Sequence, residues 1–456
     1  MTCIDIIAGA RPNFMKIAPI IKALDARKQA GGHLRYRLVH TGQHYDARMS
    51  GDFFAQLGIP EPDVNLEVGS GTQAEQTAAI MVRYEKLLLE APSRLCLVVG
   101  DVTSTMACAI AAQKLRVPVV HVEAGIRSGD WGMPEEINRM VTDAITDWFF
   151  TTSDTAGENL KRAGIEDGRI FFVGNTMIDT LNANLDRLRP PSFWDEMDLK
   201  PGGYLVVTLH RPANVDAAAS FGQLLKAVGE GARGLPAVFP VHPRTARTLE
   251  ALPDLPATIR LVEPQPYLEF NWLVRHAKAV ITDSGGVTEE TTVMGVPCMT
   301  LRDNTERPET VSVGTNEILG TDPAALAPAL ERLFAGRWKK GAIPEKWDGR
   351  TGERIVAVLG PGLINALYAI AIVNIPFFAR NIRGVTLGLS RREFVDAALM
   401  SGKGHIRILF TEILPNVAPV IVVTMSTTVG WMILETAGLS FLGLGAQPPQ
   451  ADLGSM

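Results

Sequence analysis

At 456 residues the chain is too long for one ordinary core, so two or three domains are expected. A net charge of -5 and a pI near 6.0 leave no overall basic footprint for nucleic acid. The four cysteines, Cys3, Cys96, Cys108 and Cys298, sit in apolar runs with no CxxC pair, which argues against a metal site and for buried free thiols in a reducing compartment.

The chain opens directly on a strand pattern, with no signal peptide, and a cytoplasmic location is expected for residues 1–359. Residues 3–8 read as a strand, followed by a loop, Gly9-Ala10-Arg11-Pro12-Asn13, and an amphipathic helix from about residue 14 to 26. Further strands are expected at 36–40, 95–100, 118–122, 148–152 and 170–173, with a helix over 73–89. The pattern restarts at Tyr204, with strands at 204–208, 237–240, 259–262, 279–282 and 298–301 and a last helix over 350–359. Residues 186–203, rich in proline and charge, read as the linker. Short apolar strands alternating with helices mean parallel sheets with right-handed crossovers. The expected fold is α/β, with two Rossmann-like doubly wound domains, 1–175 and 176–359, facing a cleft, and an apolar helical C-terminal tail over 360–456.

Polar residues cluster just after the strand ends, where open α/β sheets bind ligands. The run Ala279-Val280-Ile281-Thr282-Asp283-Ser284-Gly285-Gly286 is a strand, a tight turn and a helix start. Its glycines admit an anion to backbone N–H groups, and the helix end adds positive potential. Glu290 lies further along the helix, where a carboxylate suits a sugar hydroxyl, so the element points to a nucleotide. Arg11 and Lys16 offer cations at the first strand exit. Asp101, Glu123 and Glu135 lie at or beyond strand exits of the first half. Three carboxylates in one crevice must share protons or meet a cation, an acid/base signature. Glu136 reads instead as a first-turn helix acid. His210 ends a strand beside Arg211, and Arg307 supplies a planar fork suited to a diphosphate.

Taken together and in order, Gly9-Ala10-Arg11-Pro12, Thr41-Gly42-Gln43-His44, Gly100-Asp101, His121-Val122-Glu123-Ala124-Gly125-Ile126-Arg127, Pro134-Glu135-Glu136-Ile137-Asn138-Arg139, Asp283-Ser284-Gly285-Gly286, Glu289-Glu290 and Thr305-Glu306-Arg307-Pro308-Glu309 resemble the non-hydrolysing UDP-N-acetylglucosamine 2-epimerase family. The resemblance covers residues 1 to about 359. It implies a glycosyltransferase-B type fold, a homodimer, no metal or redox cofactor, and interconversion of UDP-GlcNAc with UDP-ManNAc. By motif position it makes Asp101, Glu123, Glu135 and His210 the catalytic set. It gives UDP to Arg11, Ser284, Gly285, Gly286, Glu290 and Arg307, and Lys16 joins them as a UDP-binding candidate from its place after the first strand. Gln43, His44 and His242 correspond to an allosteric nucleotide-sugar site in some bacterial members. Arg11-Pro12 argues against the hydrolysing relatives. Asn13 stands where many members carry Glu, with no consequence attached.

The implied chemistry is consistent with these residues. The C2 hydrogen of the sugar is not next to a carbonyl, and no GxGxxG follows a strand to hold a nicotinamide. Loss of UDP from C1 makes the C2–H acidic enough for a carboxylate, and re-addition inverts C2. A glycosyltransferase of the same fold is the alternative, but Glu123 and Glu135 would then have no evident task.

Residues 362–379 and 413–434 are uncharged apolar runs, near and above the minimum for a membrane span. Between them lies a basic loop with Arg380, Arg383, Arg391, Arg392, Lys403 and Arg407, which reads as cytoplasmic. Residues 393–402 and Pro415-Asn416 are similar to the coupling loop of dipeptide/oligopeptide ABC-transporter permeases, which touches an ATPase subunit. The tail covers only a fragment of such a permease, so no transport function follows. It reads as an artefact of gene fusion or assembly, as a membrane anchor, or as a soluble packing element; membrane or ATPase contact is expected only if it is genuine.

Overall fold

The computed structural model describes residues 2–32, 34–42, 56–241, 243–252, 254–359 and 382–424. The chain forms two compact units, residues 1–26 with 34–355, and residues 27–33 with 356–456.

The first unit holds two parallel sheets. The first comprises β1 (Thr2–Ala8), β2 (Leu34–His40), β3 (Val64–Asn65), β4 (Leu95–Val99), β5 (Val119–Val122), β6 (Trp148–Thr151) and β7 (Ile170–Phe172). Their order is β3-β2-β1-β4-β5-β6-β7. All five residues of β4 and all four of β5 are buried, as a sheet covered by helices on both faces requires. The second sheet comprises β8 (Leu205–Thr208), β9 (Ala237–Pro240), β10 (Ile259–Val262), β11 (Ala279–Thr282), β12 (Cys298–Thr300) and β13 (Asn316–Ile318), in the order β10-β9-β8-β11-β12-β13. Strand order therefore reverses between β1 and β4 in one sheet and between β8 and β11 in the other. Loops leaving the C-terminal ends of those four strands frame a crevice at each reversal.

Two expectations are corrected. The helix expected from residue 14 starts at Arg11 and runs to Gln29. Pro12 occupies its first turn, where a missing N–H costs nothing, so the proline starts the helix instead of delaying it. The expected linker is packed down: Trp194 meets the rings of Tyr204, Trp272 and His276 edge-on beside the second sheet.

After the second sheet, the start of the helix Thr351–Leu359 packs against the first helix. Gly352 donates its N–H to Asp179 (2.7 Å), and a Cβ at 352 would stand 2.5 Å from the Pro19 carbonyl oxygen. Only glycine permits that approach. Just upstream, Trp347 is buried and donates from Nε1 to the Thr152 carbonyl (3.1 Å).

In the second unit, the helix Glu393–Met400 precedes a helix over His405–Thr424 that has a π-turn at Leu409–Ile413. Val395, Ala398, Ile408, Ile413 and Val417 form a small apolar core. Phe410, Leu414, Val422 and Val423 remain exposed. The expected span at 362–379 lies outside the described residues. The expected span at 413–434 is described as far as Thr424, and its helix begins earlier than expected, at His405.

Candidate active site

The first-sheet side of the crevice is built from three strand exits. After β1, the Asn13 side-chain oxygen accepts from the N–H groups of Gly9 (3.2 Å) and Ala10 (3.1 Å), and its amide donates to the Val99 carbonyl (2.9 Å). This buried asparagine therefore ties the β1 exit to β4. One turn along the same helix, Lys16 reaches the crevice and ion-pairs with Glu123. After β4, Gly100 adopts φ +69°, and Asp101 follows. The His121 ring fixes this turn, with Nε2 2.8 Å from the Gly100 carbonyl and Nδ1 2.7 Å from Asp143. After β5, Glu123 holds φ +71° while its N–H and that of Ala124 both donate to the Phe150 carbonyl (2.9 and 3.1 Å). Left-handed backbone in a non-glycine residue costs of order 1–3 kcal/mol and concentrates at functional sites.

Arg139, on the helix Pro134–Ile145, organises the acids on this side. Its Nε donates to Asp101 (3.0 Å), its Nη1 donates to Glu136 (2.9 Å), and Nη2 lies 3.8 Å from Glu306 of the second half. Burial alone would raise the Asp101 carboxyl, but the charges of Arg139 and Lys16 hold it below the ordinary aspartate range. Glu136 also accepts from the N–H groups of Ser128 (2.9 Å) and Gly129 (3.1 Å), so it clasps the preceding loop as well as sitting in its own helix's first turn.

On the second-sheet side, His210 lies two residues past the end of β8, and its Nδ1 is 2.9 Å from Asp283, the residue after β11. Asp283 is fully buried and also accepts from the Arg211 N–H (2.9 Å) and from Asn214 (3.0 Å). The His210 ring is thus oriented by a fixed carboxylate while its side chain stays 46% exposed. Ser284 is the N-cap of the helix Gly285–Met294, and its own N–H turns inward to Thr282 (3.0 Å). The N–H groups of the first helical turn, Gly285 and Gly286 among them, lack intrahelical partners.

Glu289 and Glu290, adjacent on that helix, face different neighbours. Glu289 contacts Arg307 and accepts from Asn175 (2.9 Å). Glu290 accepts from Asn271 (3.3 Å) and lines a cavity of about 270 Å³ with Tyr267, Phe270, Gln265 and Gly286. Arg307 is buried and also ion-pairs with Glu123, joining the two halves of the site. Burial lowers the Lys16 ammonium to about 8 against the pull of Asp101, and it pushes the Glu289 carboxyl upward despite Lys16 and Asn175.

Burial also raises Glu290 from 4.5 to about 7, opposed by its hydrogen bonds from Asn271 and Tyr267. A carboxyl raised on folding contributes stability that is complete below its unfolded pKa and is lost as pH rises through the folded value. Glu290→Gln should therefore match the parent near pH 4 and exceed it by up to about 3 kcal/mol above pH 8. Thermal melts across this range check the sign. A difference that does not grow between pH 4.5 and 7 would contradict it.

The structure brings together Asp101, Glu123, Lys16 and Arg307, with His210, Ser284, Gly285, Gly286 and Glu290 on the facing side. Lys16 is neither solvated nor open, because Glu123 already engages it. Glu135, three residues before Asn138 on the same helix, is partly exposed and has no ion pair among the described residues. Arg11 is placed as the first residue of its helix, and its side chain lies outside what is described, as do Gln43, His44 and His242. Sequence reasoning gave no role to Asn13, Arg139, Asn175 or Glu289. Arg139 carried a legible signal in its i,i+3 spacing from Glu136; a buried asparagine carries none. Among the described residues, no group of three or more His, Cys, Asp or Glu is placed to hold a metal ion.

Fold and crevice define a glycosyltransferase-B type α/β protein whose crevice brings strand-exit turns and two cations, Lys16 and Arg307, against carboxylates. Residues 26–360 match the family model of UDP-N-acetylglucosamine 2-epimerase. The chain is 39% identical over 374 residues to the UDP-N-acetylglucosamine 2-epimerase of Methanocaldococcus jannaschii, covering 79% of this chain and 99% of the relative. It is 40% identical over 317 residues to the UDP-2,3-diacetamido-2,3-dideoxy-D-glucuronate 2-epimerase of Pseudomonas aeruginosa, covering 69% and 87%. The crystal structure of the M. jannaschii enzyme in complex with UDP-GlcNAc and UDP superposes with a TM-score of 0.69 at 38% identity, covering 78% of this chain and 99% of that one. The chain belongs to the UDP-N-acetylglucosamine 2-epimerase family. Residues 318–456 also match the model of the binding-protein-dependent transport system inner membrane component, overlapping the first match over 318–360.

Proposed function

We propose that this protein interconverts UDP-GlcNAc and UDP-ManNAc without a redox cofactor, by elimination and re-addition of UDP. The observation that carries the reading is Glu123, held in left-handed backbone between the cations Lys16 and Arg307. In the forward step the C1–O bond breaks and its electron pair leaves on the β-phosphate oxygen. A carboxylate takes the C2 proton, and C1=C2 forms as a bound glycal. Return of UDP to C1, with proton delivery to the opposite face of C2, gives the epimer. Asp101, Glu123, Glu135 and His210 carry the proton transfers. Arg11, Lys16, Arg307, Ser284, Gly285 and Gly286 hold the departing diphosphate, and Glu290 takes a ribose hydroxyl. Residues 1–175 and 176–359 act as the two nucleotide-sugar domains.

The 40% identity to the P. aeruginosa enzyme favours a second sugar, UDP-2,3-diacetamido-2,3-dideoxy-glucuronate, as the competing substrate. Turnover of each sugar, followed by ion-exchange chromatography, tests the choice. Faster turnover of UDP-GlcNAc supports the first reading, and faster turnover of the uronate replaces it. Trp131, Ile137 and Met140 expose apolar surface suited to a homodimer, which the mass in solution tests directly.

Of the readings of the tail, we propose a membrane anchor for the enzyme. Twenty residues of helix, His405–Thr424, span about 30 Å, the thickness of a bilayer core. Arg383, Arg391, Arg392 and Lys403 precede it, as positive charge does on a cytoplasmic side. The full chain should sediment with membranes, and a chain ending at Leu359 should stay in the supernatant and still epimerise. A full chain found only in the supernatant would contradict the anchor.

A further inference from the structure

The Arg307 guanidinium is 9% exposed and divided among three directions. Nε faces Glu289 Oε1, and Nη2 faces Glu123 Oε1. Nη1 is buried and has no hydrogen-bond partner among the described residues. A buried donor left unmade costs about 1–3 kcal/mol, so an Arg307 so placed is waiting for an acceptor. Glu289 is itself only 1% exposed, and its Oε1 is pinned by the Asn175 amide at 2.9 Å. Its neighbour Glu290 faces the nucleoside-sized cavity; Glu289 does not line it. A buried charge pair of this kind is seldom better for stability than an apolar pair, but it does fix the plane of a guanidinium.

We infer that Glu289 is a positioning residue for the leaving group: anchored by Asn175, it holds Nε of Arg307 so that Nη1 is presented to the diphosphate of UDP. This rests on the reading of Arg307 as a UDP ligand. With the Glu289 carboxyl group replaced, the guanidinium turns to pair with Glu123 alone, and its aim at the phosphate is lost. The defect falls on the diphosphate and not on the nucleoside. It also falls more on kcat than on KM, because charge on the leaving oxygen peaks in the transition state.

Affinities of UDP and of uridine, measured by calorimetry on the full chain and its variants, separate the outcomes. Glu289→Gln should weaken UDP by about tenfold or more, the loss of a charge-assisted bond to phosphate, while uridine stays within about twofold. Glu289→Asp should recover part of the loss, and Glu290→Gln should weaken both ligands together. Unchanged uridine binding also shows that the site of Glu289→Gln is folded. Equal weakening of UDP and uridine by Glu289→Gln would reduce Glu289 to a structural residue and overturn the inference, as would unchanged UDP affinity with unchanged kcat. A wild-type chain that binds uridine and UDP equally would instead overturn the reading of Arg307 as a phosphate ligand, and this inference with it.

Discussion

Turnover of UDP-GlcNAc is expected to fall about 10²–10⁴-fold in Glu123→Gln, the range for loss of a positioned acid or base. The substitution keeps the shape of the side chain and removes its ability to take a proton. It also discharges the partner of Lys16 and Arg307, so both cations become more available to phosphate. UDP should accordingly bind Glu123→Gln as tightly as the parent, or more tightly, while kcat collapses. Steady-state rates and UDP titration on the same preparation read both effects. Weaker UDP binding with an intact kcat would assign Glu123 to ground-state binding and remove it from the chemistry.

The largest effect on stability is expected at Arg139. Its side chain is 7% exposed and serves Asp101, Glu136 and Glu306 at once. Arg139→Met takes from Glu136 its ion-pair partner and from Asp101 its hydrogen-bonded guanidinium, at a cost of about 3–5 kcal/mol at neutral pH. The pH dependence follows from the depressed carboxyls of Asp101 and Glu136. Groups depressed on folding contribute stability above their unfolded pKa and lose it as pH falls through the folded value. The gap between parent and variant should therefore be widest at pH 7 and narrow below pH 4. In the variant the Asp101 carboxyl rises toward its ordinary value or beyond, so the acid limb of activity moves to higher pH. Urea unfolding at pH 7 and pH 4 measures the gap; an equal gap at both would show that packing, not charge, is what Arg139 supplies.

Most strands were legible because parallel strands buried on both faces are continuous apolar runs, as 95–99 and 279–282 show. The edge strands Val64–Asn65 and Asn316–Ile318 escaped notice because two or three half-polar residues carry no such run. Site residues at strand exits were legible for a topological reason. Asp101, Glu123, His210 and Ser284 follow β4, β5, β8 and β11, three of which border the strand-order reversals. The residues that hold them were not. The sequence assigns Glu290 to a sugar hydroxyl, but adjacent Glu289, turned by about 100° along one short helix, carries no signal for its contact with Arg307. Asn13, which closes the first turn, and Asn175, which pins Glu289, act over sequence separations of 86 and 114 residues and only the fold reveals them.

The measurement that bears most directly on the account is incubation of the full-length chain with UDP-GlcNAc in D₂O, followed by proton NMR of the sugar. Epimerisation through C2–H cleavage in this crevice requires UDP-ManNAc carrying deuterium at C2. UDP-ManNAc that keeps its C2 hydrogen would contradict proton exchange at Asp101 and Glu123, and free ManNAc with UDP would mean that water, not UDP, returns to C1.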